Sequence, residues 1–175
     1  MRKLPAPSAI LIGGAIAGAC DITYAITFWA FRGVSATRVL QSVASGLLGA
    51  PAFKGGLVTA AFGLVLHFFI AFAAATIFYL AAKVLPILTR RAILFGILYG
   101  LAIFAVMNLV VLPLSAFPRK VAFPLLATTT GIAVHMFLIG LPISLAVRRA
   151  LPASVQSDAV RSRLLDQTRP ADTRL

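Results

Sequence analysis

The sequence predicts an all-α integral membrane protein: a four-helix bundle with a short amphipathic interfacial helix between its first two spans. Three observations carry that prediction. The 175 residues are 61% hydrophobic with a mean hydropathy of +1.01, against about 45–50% apolar in soluble domains, so too little polar surface exists to coat a water-soluble globule. The apolar residues gather into four runs, 8–31, 57–82, 92–112 and 121–147, each at or above the roughly 20 residues that cross about 30 Å of hydrocarbon. Charged residues, finally, stand in ones and twos at the ends of these runs.

That last pattern decides between partners. A net charge of +12 suits nucleic acid when the bases cluster on one face; spread over span ends, it points to the lipid bilayer, and no nucleic-acid partner is expected. Orientation follows from the same residues, because Lys and Arg accumulate on the cytoplasmic side. With the N-terminus inside, that side holds Arg2, Lys3, Lys83, Arg90, Arg91, Arg148 and Arg149 plus four arginines of the tail, and the outer side holds Arg32, Arg38, Lys54, Arg119 and Lys120. Both termini are therefore expected in the cytoplasm.

Taken in order, the first span carries Gly14-x-x-x-Gly18 and ends near Trp29 and Arg32, an aromatic and a cation suited to the membrane interface. Its Ala17-Gly18-Ala19-Cys20 approaches a lipoprotein cleavage box, but Ala17 stands where such boxes have Leu or Val, and the apolar run continues to Phe31, too long for a signal sequence. Cys20 is the single cysteine, which excludes an intrachain disulfide, and packing is its expected role. In the first loop, Val39, Leu40, Val43, Ala44, Leu47 and Leu48 recur at helical spacing with Arg38, Gln41, Ser42 and Ser45 off that stripe. This predicts the interfacial helix over 37–50, lying on the outer surface, dipping in beside the bundle or capping it. Tyr79 and Lys83 end the second span; Gly96-x-x-x-Gly100 marks the third, which Pro113 ends or bends; Gly140 and Pro142 are the expected hinge of the fourth, since a proline cannot donate to the carbonyl four residues back. Residues 1–150 thus form the membrane domain, and 151–175 a polar, disordered cytoplasmic tail.

Inside so apolar a chain, the ionisable residues stand out. Asp21 is the one carboxylate of the first 150 residues; it lies mid-span, as do His67 in the second span and His135 in the fourth. A charge at that depth costs about 3 kcal/mol or more, so such groups turn inward and pair. Small-residue faces agree: Asp21 shares a stripe with Gly14 and Gly18, His67 with Gly63, and His135 with Gly131, and membrane helices approach along such faces. Asn108 joins them as a fourth polar group. Two roles compete for this cluster: an interhelical hydrogen-bond network, each bond worth about 0.6–2 kcal/mol, or a proton pathway with Asp21 as carrier and the histidines as relay. Three ligands from two residue types fall short of a typical zinc site, so neither metal nor cofactor is expected. A faint repeat, Gly63-x-x-x-His67-x-Phe69 and Gly131-x-x-x-His135-x-Phe137, hints at a two-plus-two duplication.

The segments AGACDITYA, RVLQSVASGLLG, the stretch around His67 and MNLVVLPLS, in this order, resemble a family of uncharacterised small bacterial four-span inner-membrane proteins and, more distantly, the YagU-like family. The resemblance covers roughly the first 150 residues, the four-span region. It implies a bacterial inner-membrane location and puts Asp21, Gln41 in the outer loop, His67, Asn108, Pro113 and His135 at characteristic places. It supplies no activity, substrate or catalytic residue. A longer segment that some relatives carry between the third and fourth spans is absent here.

The expected function is that of a non-enzymatic structural or accessory membrane component organised by its buried Asp/His cluster. The alternative is a small proton-linked transporter or channel using Asp21 and the two histidines, either one as a homo-oligomer or with a membrane-protein partner. No His-Glu-x-x-His, Ser-His-Asp set or phosphate-binding glycine loop suggests an enzyme.

Overall fold

A computed structural model describes residues 4–120 and 122–151; the expected tail, Arg2 and Lys3 lie outside the described residues. Four helices are long and apolar enough to cross a membrane: α1 (Ala6–Ala30), α3 (Gly56–Val84), α5 (Ala92–Leu114) and α6 (Leu125–Ala150). Between the first two lie α2 (Ala36–Leu48) and a 3-10 turn over Ala50–Lys54, and α4 is a single turn, Ile87–Arg90. Local chemistry sets these limits. The Ser35 hydroxyl accepts from the Arg38 amide at 3.3 Å to start α2, and Gly49 ends it at φ +65°, a conformation that suits glycine.

The fourth span begins at Leu125 rather than the expected 121, and its cap is Pro124; a residue before proline is disfavoured in the helical region, so the helix does not reach back through Phe123. Two spans depart from regular α geometry. A π turn, Met107–Val111, precedes Pro113, and a second, His135–Gly140, precedes Pro142. Each proline removes one i→i−4 bond, and the wider turn just before it accommodates the loss without ending the helix. For this reason α5 runs past Pro113 to Leu114 instead of ending at 112.

The helices pack in the order α3, α1, α6, α5. In the central windows of α1 and α6, 28% and 39% of residues are buried, against 11% in both α3 and α5, so the outer pair presents most of its surface to lipid. The end of the bundle where Leu4 meets Arg149 is closed. Ala17, Ala75, Phe78, Ala82, Ile139, Ile143 and Val147 form its core, and the Leu4 amide donates to the Arg149 carbonyl at 3.2 Å, tying the chain start to the end of α6. Tyr99 draws α5 against α3 by donating to the Ala74 carbonyl at 2.7 Å, its ring 4.9 Å from that of Phe78.

Glycines set the closest approaches. A Cβ at Gly14 would meet the Phe72 ring, and one at Gly18 the Phe68 ring at 2.9 Å. Between α5 and α6 the contact is backbone on backbone: a Cβ at Gly140 would fall on the Gly96 carbonyl oxygen and the Gly100 nitrogen, and one at Gly100 on the His135 carbonyl.

Helix α2 buries residues of both kinds. Val39 and Ala44 of the apolar stripe are buried, and so are Gln41 and Ser45 beside it, at 4% and 0% exposure, whereas Leu47 and Leu48 at the end of the stripe are exposed. The helix lies beside the first turns of α3, its Leu40 carbonyl against Gly63. The burial of Gln41 and the exposure of the two leucines have a simple cause. Acyl chains accept Leu at no penalty, while an amide in contact with them must find a partner. Gln41 Nε2 donates to the Gly56 carbonyl at 3.0 Å and to Thr59 Oγ1 at 3.4 Å, and that hydroxyl donates to the Ala52 carbonyl at 2.7 Å. Gln41→Leu is expected to lower stability in detergent by about 1 kcal/mol, two interhelical hydrogen bonds at about 0.6 kcal/mol each, read as a drop in melting temperature; an unchanged melt would show that packing alone holds α2.

Candidate functional site

At the opposite end of the bundle, α1, α5, α6 and the α2 segment line a cavity of about 550 Å³. Tyr24, Phe28, Trp29, Phe53, Phe104, Phe117 and Phe123 form its walls. Arg38, Arg119 and Lys120, from the connecting segments, stand at its mouth, and Asp21, Asn108 and His135, from mid-span, make its floor. Arg38 is steadied by the Phe53 ring, 4.5 Å from its guanidinium carbon, a cation–π contact.

Both π turns aim a polar side chain into this space. Asn108 is the second residue of one and donates from Nδ2 to the Phe104 carbonyl at 2.9 Å. Its amide oxygen and second N–H have no partner among the described residues. His135 opens the other π turn, with Nδ1 2.9 Å from the Gly131 carbonyl. A carbonyl only accepts, so Nδ1 carries the hydrogen, and Nε2 of the neutral ring is left with its lone pair. The Phe104 ring stands edge-on to the imidazole, centroids 5.2 Å apart. π turns of this kind recur at functional sites because they displace side chains and free backbone carbonyls.

Asp21 lies between two environments. On one side His67 presents Nδ1 at 4.0 Å from Oδ2, longer than a hydrogen bond. His67 itself is fixed from α3 to α1 by Nε2, which donates to the Gly18 carbonyl at 2.9 Å. On the other side lies the cavity. No hydrogen-bond donor reaches the carboxylate among the described residues, and its side chain is 26% exposed.

The structure therefore joins Asp21 to His67 across α1 and α3 and sets His135 and Asn108 on the cavity wall, instead of gathering all four into one network. The halves of the sequence repeat differ as well: His67 sits on regular helix and bonds across to α1, whereas His135 sits on a π turn and bonds to its own helix. Gly63 faces α2 and Gly131 faces Phe104. Among the described residues no three His, Cys, Asp or Glu side chains converge on a metal-sized site. Sequence reasoning missed the Tyr24 hydroxyl, 2.5 Å from Thr130 Oγ1, which joins α1 to α6; a tyrosine in mid-span was the available signal. Compared with protein families, curated proteins and solved structures, the chain matches none.

Proposed function

We propose that this chain is a small, non-enzymatic, proton-linked carrier of the bacterial inner membrane, with both termini in the cytoplasm and its cavity open to the outer side. One observation carries the reading: a mid-span carboxylate without a hydrogen bond faces a cavity that is open at one end and closed at the other. A structural carboxylate at such depth is normally bonded on all sides, whereas one that must load and release a proton has to be reachable. Asp21 takes the proton from the cavity, and His67 Nδ1 is the next acceptor. The α5–α6 crossing at Gly96, Gly100 and Gly140, beside Pro142, is the pivot on which the outer half closes.

Purified protein in liposomes with an entrapped pH dye tests this. An imposed acid-outside gradient is expected to collapse faster than in protein-free vesicles, and equal rates would overturn the proposal. Reporter fusions check the orientation: one after Gly55 is expected outside and one after Arg149 inside. A second reading, a structural or accessory component, is favoured by the His67–Gly18 bond, which staples α3 to α1. The lipid-facing α3 and α5 are then the surfaces for a second copy or a membrane-protein partner.

A further inference from the structure

We infer that the cavity takes an anionic amphiphile from the outer leaflet, its charged headgroup held by Arg38, Arg119 and Lys120 and its chain leaving sideways between α1 and α6. This rests on the carrier reading for the cavity's orientation and names the class of cargo. Charge comes first. Three cations stand at the mouth, and among the described residues no carboxylate pairs with them; Asp21, the one carboxylate there, is on the floor. The mouth therefore attracts anions. A small hydrophilic anion, though, gains nothing from walls of phenylalanine, tyrosine and tryptophan, which suit an apolar body.

Size and a second feature point to a lipid. About 550 Å³ holds a headgroup and the start of a chain, not the whole of a diacyl molecule. Alongside, on the lipid-facing flank of α1, runs an apolar groove of about 620 Å³ lined by Ala19, Cys20, Thr23, Thr27, Phe31 and Leu138. Tyr24 and Phe28 line both spaces. These two side chains are the partition, and the hydrogen bond from Tyr24 to Thr130 holds it shut at the α1–α6 seam. A headgroup on one side and acyl chain on the other fit the two spaces with a single partition to open.

The chain supplies its own reporter, since Trp29 is the single tryptophan and lines the cavity. Full-length protein is reconstituted in phosphatidylcholine vesicles containing either brominated phosphatidylglycerol or brominated phosphatidylcholine, and Trp29 quenching is measured. Phosphatidylglycerol is expected to bind in preference, by about fivefold for each contributing cation, and the preference is expected to vanish in the Arg38→Ala/Arg119→Ala/Lys120→Ala triple variant. Cations at a membrane surface attract anionic lipid even without a cavity, so Ala127→Phe, which partly fills the cavity and leaves the cations at the mouth in place, is the deciding variant. It is expected to abolish the preference too, with Ala25→Phe on the opposite wall as its replacement should helix content fall. Preference that survives cavity filling, equal quenching by both lipids, or reversal by inorganic phosphate overturns the inference. Quenching does not read proton flux, so the failure of either proposal is visible without the other.

Discussion

Asp21→Asn is expected to abolish proton flux in reconstituted vesicles while leaving the protein as stable as wild type, or more so. The two readouts move apart for a physical reason. Asparagine has the shape of aspartate and carries no titratable proton, so the loading step is lost. Its fold consequences are small, because the native carboxylate makes no hydrogen bond among the described residues and its nearest charged partner is 4.0 Å away. An amide at that depth needs no counter-charge, so little is lost with so loose a pair. His67→Gln sharpens the test. Its amide can still donate to the Gly18 carbonyl, as His67 Nε2 does, but it cannot relay a proton, so slowed flux at near-native stability is expected. Wild-type flux in Asp21→Asn would end the carrier proposal, and a large fall in melting temperature would make Asp21 a structural residue instead.

How much of this was legible in the sequence depends on what solvent imposes and what it does not. Hydrocarbon dictates length and apolarity, so the four spans stood in plain view, with ends displaced by a few residues where Pro113 and Pro124 acted through backbone geometry. The facing of α2 was legible only in part: Val39 and Ala44 of its stripe are buried as the spacing implies, but Gln41 is buried with them because Gly56 and Thr59 accept from its amide, a pairing that no local pattern announces. Pro113 and Pro142 announced bends, yet a static kink and a π turn leave the same mark in a sequence. The cavity needed the order α3, α1, α6, α5, which no local pattern encodes. Arg38, Arg119 and Lys120 were read for orientation alone, and their convergence depends on how two connecting segments, one after α1 and one after α5, meet at one end.

The α5–α6 crossing gives the second large effect. Gly140→Ala adds one methyl group to a residue inside a helix, where alanine is ordinarily favoured over glycine by about 1 kcal/mol. Here the methyl has nowhere to go. It falls on the Gly96 carbonyl oxygen and the Gly100 nitrogen, backbone atoms that cannot rotate aside as a side chain would. Relief requires the helices to part, which also loosens Ser144, fully buried against Gly96. Overpacking of side chains alone costs about 1–3 kcal/mol; with backbone on both sides the upper end applies, so steric cost wins over propensity and the melting temperature falls. Gly46→Ala is the control, since it too lies inside a helix and its Cβ would find Ser115 at 4.0 Å and nothing nearer; propensity alone acts there, and it should melt at or above the wild type. Gly131→Ala lies between, because the Phe104 ring at 3.1 Å can swing away. Under the carrier reading the same crossing is the pivot, so Gly140→Ala protein that remains folded at low temperature should still fail to move protons. A melt indistinguishable from wild type would mean that α5 and α6 do not meet backbone to backbone, and the closed end of the cavity would lose its seal.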